Sequence, residues 1–496
     1  MNNYNKIIKN GFLQWNKVLF LFLAVCSLFQ RTNANVKLPA LFSDHMVLQR
    51  GMKVPVWGWA DPYESVVVKF AGQTKSTKAD GKGNWMVKLN RLKTGKPQTM
   101  IIKGKNTIVI TDVQVGEVWI CSGQSNMEWA LSRSIGGDEA VANSANANLR
   151  IFNVPHNDTE TPQHDVKALW LLSGPKNTKY ISAIGYWFLS KLQKELGVPV
   201  GFINASYGGT VIEAWISRQG LESVRNRDRS TFLDSIKADY KIRLEIEKPI
   251  RDKYEKDKLQ AKEKNLPAPP MPVGLAGALR GPTMLFNGEI APLIPYAIHG
   301  VAWYQGESNA YVDRANSYQK LLPVLIKQWR EDWGMKKLPF LIFQLAPNRK
   351  NQTDPNEKSG IAVIQEAQLR TTRQVKNTAL IITMDLGENN VHYLNKEPVG
   401  ERAMKAALSI AYNKNVDYSG PIFKNMKIKG NKVIIGFTNL AQGLVAKGDT
   451  LHGFTIAGND MKFYFADARI VGNTVVVSSP DVPKPVSVRY GWADFP

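Results

Sequence analysis

Cysteine is nearly absent from this sequence: its 496 residues include two, Cys26 and Cys121. Cys26 falls in an N-terminal segment that reads as removable, so the mature chain keeps one thiol and has no intramolecular disulfide. Its stability must then come from burying a core. Cys121 lies inside the apolar run VWIC, where a cysteine behaves as a small hydrophobe rather than a nucleophile. Long apolar runs are equally scarce. The marked one, VLFLFLAVCSLF at residues 18–29, is too short to cross the roughly 30 Å bilayer core, which takes about 20 helical residues. Lys6, Lys9 and Lys17 precede it, and the small residues Thr32 and Ala34 follow. That is the layout of a secretory signal over residues 1–34. The mature chain is expected to begin near Asn35, in the periplasm or secreted, with no integral membrane association.

Acidic residues are in deficit: 42 Asp and Glu face 64 Lys and Arg, a formal charge of +22. The basic residues are spread along the chain with no aromatic-interleaved basic module, so no nucleic-acid partner is expected. The densest cluster, RDKYEKDKLQAKEK from Arg251 to Lys264, mixes both signs as a solvated helix does. The six histidines include no two at metal-ligand spacing and there is no cysteine pair, which disfavours metal-assisted hydrolysis.

What is present is a change of rhythm along the chain. Residues 35–115 carry short Val/Ile/Thr-rich runs such as KVPVWGWA and SVVVKFAG, broken by ADGKGNW and KTGKPQ, and read as an N-terminal β-sandwich. Residues 116–412 alternate strand-like runs with helix-like stretches, which predicts an α/β domain with a parallel sheet and flanking helices. A polar helical stretch and a Pro/Gly-rich loop at about 221–284 read as an insertion in it. Residues 413–496 return to C-terminal β-strands. Parallel sheets bind ligands at the carboxyl ends of their strands. Ser125, Gly208, Gln305, Gln344 and Asp385 each follow a strand-like run.

A serine hydroxyl becomes a nucleophile when a base removes its proton, and it works best exposed on a strand-to-helix turn. Ser125, in GEVWICSGQSNMEWAL, has that placement, although most serines at such turns are helix caps. In NASYGGTVIEAW, Gly208 and Gly209 end a strand where backbone can approach a ligand closely. In WYQGESNA, Gln305 has an amide N–H to donate, and Glu307 has a carboxylate to orient neighbours. The base for serine acyl transfer near neutral pH is histidine. His392, in the polar stretch MDLGENNVHYLNKEPVG with Asp385 and Glu388 upstream, is the best of the six.

Taken together and in this order, GQSNMEW, VPVGFINASYGGTVIEAW, GVAWYQGESNA and DLGENNVHYLNKEPVGERA resemble the sialate O-acetylesterase-like branch of the SGNH/GDSL hydrolases. The resemblance runs from LPALFSDHMVLQRGMKVPVWGWA to the terminal YGWADFP. It implies an SGNH-hydrolase-like fold and a serine esterase that removes O-acetyl groups from a sugar or glycan with no metal and no cofactor. Ser125 would be the nucleophile and His392 the base. The Ser125 N–H, a glycine of the Gly208–Gly209 pair and the Gln305 side chain would form the oxyanion hole. One departure stands at the histidine: relatives read like GEWNDIHPLNK, with aspartate two places before it, where this chain has Asn390, and with proline where it has Tyr393. Asp385 or Glu388 would then supply the acid, or Asn389 or Asn390 would hold the ring without a charge. Relatives also continue beyond the WAD segment, so an exposed edge in the last sheet is expected. Acetylxylan or another acetylated polysaccharide is the alternative substrate, and a carbohydrate-binding protein with impaired catalysis is the rival of another class.

Overall fold

The computed structural model describes residues 35–225, 232–269, 272, 281–348, 350–448 and 450–496. The expected secretory segment and most of the Pro/Gly-rich loop lie outside the described residues. The described chain forms two compact units, one built from residues 35–38, Trp57–Val87 and Ile101–Val109, the other from Pro39–Val56, Lys88–Met100 and the described residues from Ile110 onward.

The first strands are β1 (Val47–Gln49), β2 (Val54–Trp59), β3 (Ser65–Phe70), β4 (Gln73–Lys78), β5 (Asn84–Leu89) and β6 (Gln98–Lys103). In the smaller unit β3 pairs antiparallel with β4 on one side and with the end of β6 on the other. Burial alternates along β3 and β5, as period-2 patterning requires when one face of a strand is covered.

The larger unit holds the sheet that matters for function. Strand β7 (Thr107–Gly123) alternates in its first residues and is buried throughout from Val113 onward, the pattern of a central parallel strand covered on both faces. It is followed by β8 (Asn146–Asn153), β9 (Trp170–Ser173), β10 (Val200–Ser206), β11 (Gly300–Tyr304), β12 (Phe340–Phe343) and β13 (Thr378–Ile381). Their spatial order is β13-β12-β11-β7-β10-β8-β9. All neighbours are parallel except the β8–β9 edge pair. From β7 the chain runs out to β8 and β9 on one side, returns to place β10 beside β7, and then crosses to β11 on the other side. The C-terminal end of β7 is therefore a topological switch point, where loops diverge and leave a crevice. The parallel α/β expectation holds.

Helices Ala183–Leu196 and Glu397–Ile410 pack together, as do Val312–Asp332 and Gly360–Gln374. Local chemistry sets their ends: the Ser182 and Ser359 hydroxyls accept the N–H of Gly185 and Ala362, both at 3.0 Å, satisfying donors left free by the first helical turn. The insertion contains a helix from Phe232 to Glu263 with Leu233 as its buried residue.

C-terminal strands β14 (Ile422–Lys429), β15 (Lys432–Thr438), β16 (Phe454–Ala457), β17 (Phe463–Phe465), β18 (Asp467–Val471), β19 (Thr474–Ser478) and β20 (Ser487–Tyr490) follow. They form two antiparallel sheets, β14-β15-β19-β18 and β17-β16-β20. Val433, Ile435, Phe454, Ile456, Val475, Val477 and Val482 make one buried cluster between elements of both. No helix among the described residues is long and apolar enough to cross a membrane.

Candidate active site

Strand register assembles the site. Gly123 at the end of β7 is paired with Ser206 of β10 on one side and Tyr304 of β11 on the other. The residues that follow these three ends, Ser125, Gly208 and Gln305, are neighbours by construction. Gly123 has φ +131°, and a Cβ there would lie 1.9 Å from the Tyr304 carbonyl oxygen. Only glycine fits this turn. Beyond it, Ser125 is the first residue of a short helix, Ser125–Glu128, whose N-cap is Gln124 with no side-chain capping bond. Ser125 is thus not a capping serine. Gln124 is instead a tie, its Oε1 accepting the backbone N–H of Gly306 and Ser308, each at 3.2 Å.

Gly208 lies against this helix: a Cβ at 208 would be 3.3 Å from the Ser125 Cβ and 2.9 Å from Glu128 Oε2. Its backbone N–H donates to that carboxylate oxygen at 2.6 Å. The other Glu128 oxygen meets His156 Nε2 at 2.9 Å, and the His156 ring stacks on Tyr207 with centroids 3.6 Å apart. Glu128, which sits in the quoted GQSNMEW, thus joins the site by contact with Gly208 and His156. Gly209 takes the left-handed conformation, φ +71°.

His392 is brought to the same place. Asn126, beside the nucleophile candidate, donates its side-chain amide to Val391 O at 3.0 Å, and the Trp129 ring stacks on the His392 ring at 4.8 Å. The His392 backbone N–H donates to Asn390 Oδ1 at 3.0 Å. Burial, followed by the nearby positive charges of Lys396 and Arg133, holds the imidazole below its ordinary pKa, against an opposing pull from Glu128.

The expected acids lie elsewhere. Asp385 forms a two-pronged pair with Arg402, both contacts at 2.7 Å, and those hydrogen bonds lower its carboxyl pKa. Glu388 Oε1 accepts the Leu394 N–H at 3.0 Å. Neither carboxylate hydrogen-bonds the His392 ring among the described residues. Arg402 outcompetes a neutral imidazole for Asp385 because its planar guanidinium matches both carboxylate oxygens.

Gln305 also differs from expectation. It is fully buried, and its amide nitrogen faces Asn309 Oδ1 at 2.8 Å, Thr210 O at 3.0 Å and Gln124 Oε1 at 3.1 Å. An NH2 has two hydrogens, so these acceptors already claim both, and the group braces the turn rather than presenting a free donor. Asn309 continues the brace to buried Glu213 at 2.9 Å.

Glu307 and Lys396 form the buried charged centre of the site, bridged by Asn126. The Asn126 amide nitrogen donates to Glu307, and its oxygen accepts from the Lys396 ammonium, which also lies 3.5 Å from the Tyr393 ring centroid. Burial raises the Glu307 carboxyl pKa. It drives the Lys396 ammonium down to about 7, outweighing the attraction of Glu307 and Glu388. The lysine in the quoted HYLNK was the available signal, but its burial was not readable from the motif. A depressed lysine pKa means the unfolded chain holds more protons between about pH 7 and the ordinary lysine value. Stability contributed at this position therefore rises with pH across that window. Urea unfolding at pH 7, 8 and 9 is expected to show wild type gaining on Lys396→Met by up to about 1.4 kcal/mol per pH unit. A pH-independent difference between the two proteins would refute it.

Among the described residues no group of three or more His, Cys, Asp or Glu side chains is placed to hold a metal ion. Cys121 is buried, and desolvation raises its thiol pKa, in keeping with a packing role.

The site and sheet find counterparts in known proteins. Residues 288–409 match the family described as carbohydrate esterase, sialic acid-specific acetylesterase. The sialate O-acetylesterase of Mus musculus is 27% identical, with 96% of this chain and 93% of that one covered. For that of Homo sapiens the values are 26%, 92% and 87%. Among solved structures, a carbohydrate acetylesterase from Xanthomonas citri is 33% identical, with 92% of this chain and 94% of that one covered and a TM-score of 0.77. The protein is a carboxylic ester hydrolase of the carbohydrate esterase class. Within that class the chain belongs with the carbohydrate acetylesterases, and residues 288–409 carry the sialic acid-specific acetylesterase domain.

Proposed function

We propose that this carbohydrate acetylesterase works through a Ser125 acetyl-enzyme with His392 as the base, and that its substrates are O-acetylated sialic acids. The observation that carries the assignment is the joining of two loops: Asn126 bonds Val391 O, and Trp129 stacks on His392, which ties nucleophile and base to one frame. The Ser125 oxygen attacks the acetyl carbonyl as its proton passes to His392, the sugar oxygen departs with that proton, and water repeats the sequence to release acetate. The Ser125 N–H is the proposed oxyanion donor, joined by the Gly208 N–H once that group releases Glu128 Oε2, its partner in the resting structure. Gln305 would join them only by releasing one of its present acceptors.

The experiment is acetate release from acetylated sialic acids, acetylxylan and simple acetylated sugars, with Ser125→Ala as control. A rate shared by wild type and variant on every ester would sink the assignment. The reading as a binding protein with impaired catalysis draws on the absence of a carboxylate on the His392 ring among the described residues. That absence also yields a prediction. Asn390→Asp restores an acid two places before the histidine and is expected to raise kcat/KM roughly tenfold or more, because an aspartate orients the ring and stabilises its charged form. The acid limb of the pH–rate profile should move to higher pH in the variant. An unmoved limb would leave residue 390 as a turn residue.

With this reading go three others: a secretory signal at residues 1–34, export to the periplasm or medium, and an N-terminal β-sandwich within residues 35–115. The alternating burial of β3 and β5 supports the last. N-terminal sequencing of the exported protein tests the first two.

A further inference from the structure

Arg133 is an exposed cation beside the proposed base with no anion of its own. Its guanidinium lies over the Trp129 ring, 4.4 Å from the centroid, and the same ring stacks on His392. Trp129 is fixed in turn, its indole N–H donating to Arg133 O at 3.1 Å. Among the described residues the guanidinium makes no ion pair and no hydrogen bond, whereas that of Arg402 is occupied by Asp385 and Ile382 O. Of the two acidic residues five positions away, Glu128 is committed to His156 and the Gly208 N–H, and Asp138 stands in the first turn of the next helix.

The turn bearing Arg133 is laced to its surroundings by backbone bonds: Leu131 N–H to Ile181 O at 2.9 Å, Ser132 N–H to Lys179 O at 3.2 Å, and Ile135 N–H to Leu394 O at 3.0 Å. These bonds bring in a second exposed cation, Lys179, also without a carboxylate partner among the described residues, and Tyr180, which is 74% exposed. An aromatic face beside unpaired cations suits a sugar that carries a carboxylate: the ring covers apolar C–H surface while a guanidinium takes both carboxylate oxygens. With the guanidinium carbon 4.4 Å and the imidazole centroid 4.8 Å from the same Trp129 centroid, the two lie within about 10 Å of each other, the reach of one substituted monosaccharide.

We infer that the rim formed by Trp129, Arg133, Lys179 and Tyr180 is the subsite for a sugar carboxylate, with Arg133 the residue that distinguishes anionic from neutral acetylated sugars. The inference rests on the proposed Ser125–His392 esterase and adds the group that selects its substrate. A positively charged rim also draws anionic sugars toward the site, an effect that falls as salt rises.

The test compares kcat and KM for O-acetylated N-acetylneuraminate and for the same compound with its carboxylate blocked as a methyl ester, using wild type, Arg133→Gln and Arg133→Lys. Wild type is expected to prefer the free carboxylate. Arg133→Gln should abolish the preference by raising KM for the anionic ester roughly tenfold more than for the blocked one, the scale of one charge-assisted contact near the surface. Arg133→Lys should recover part of it. A preference that survives in Arg133→Gln, or a parallel loss on both esters, overturns the inference. If wild type releases acetate from neither ester, the esterase assignment fails instead. The subsite is then decided by titrating N-acetylneuraminate and its methyl ester into the same proteins: weaker binding of the free acid alone in Arg133→Gln upholds it, and equal binding overturns it.

Discussion

Ser125→Ala is expected to lower acetate release by about four to six orders of magnitude, the scale of losing the nucleophile in a site where nucleophile and base act as a unit. Stability should be almost untouched. The Ser125 hydroxyl is not the cap of its helix and makes no hydrogen bond among the described residues, and alanine is the better helix former. A rate collapse without a fall in thermal midpoint therefore separates chemistry from folding. His392→Ala should fall to a similar floor, and the double variant should fall no further, because a base without a nucleophile has nothing to activate. Multiplicative losses in the double variant would mean that the two residues serve different steps, and the acetyl-enzyme scheme would have to be abandoned.

Gly123→Ala is expected to be the most damaging single methyl in the sheet. The added Cβ would lie 1.9 Å from the Tyr304 oxygen and 2.5 Å from its carbonyl carbon, on a backbone with φ +131°. Both colliding atoms are main chain in β11, so no rotamer change relieves the contact. Relief requires separating β7 from β11 at the residue that sets their last register pair. A loss of about 3–5 kcal/mol is expected, the range where overpacking and backbone strain act together. Gly95→Ala, where nothing lies within 4 Å of the new carbon, is the control and should stay within about 0.5 kcal/mol. Urea unfolding of both variants decides the matter. Equal midpoints would mean that the turn after β7 yields more readily than its geometry implies.

Much of the site was legible because its parts sit at strand ends, and strands announce themselves by composition. The alternation from Val118 onward gave the parallel sheet, and Ser125, Gly208 and His392 stand in the loops that such a sheet brings together. The sequence leaves the acid open between Asp385, Glu388 and the asparagines, for a physical reason. Asp385 is upstream of His392 in the chain, but Arg402 in the following helix offers a bidentate partner, and sequence distance does not say which of two partners a carboxylate turns toward. The Gln305 motif gives residue type without burial: enclosed by Thr210, Asn309 and Gln124, its amide braces the turn in this structure. Lys396 and Glu128 were passed over because lysine and glutamate usually mark solvated surface. Here one is fully buried, and the other lies against a glycine of the site.

If the Gly208 N–H is an oxyanion donor, as proposed, its bond to Glu128 sets up an internal rival for the reaction. A neutral ester carbonyl is a poor contender for an N–H already held by a carboxylate, so the substrate gains little from that donor on arrival. The tetrahedral intermediate carries a full negative charge on the same oxygen and contends on equal terms. On that proposal Glu128 would act as a filter in time, withholding the donor from the bound ester and yielding it as charge develops, so that the interaction is concentrated where it lowers the barrier rather than where it tightens binding.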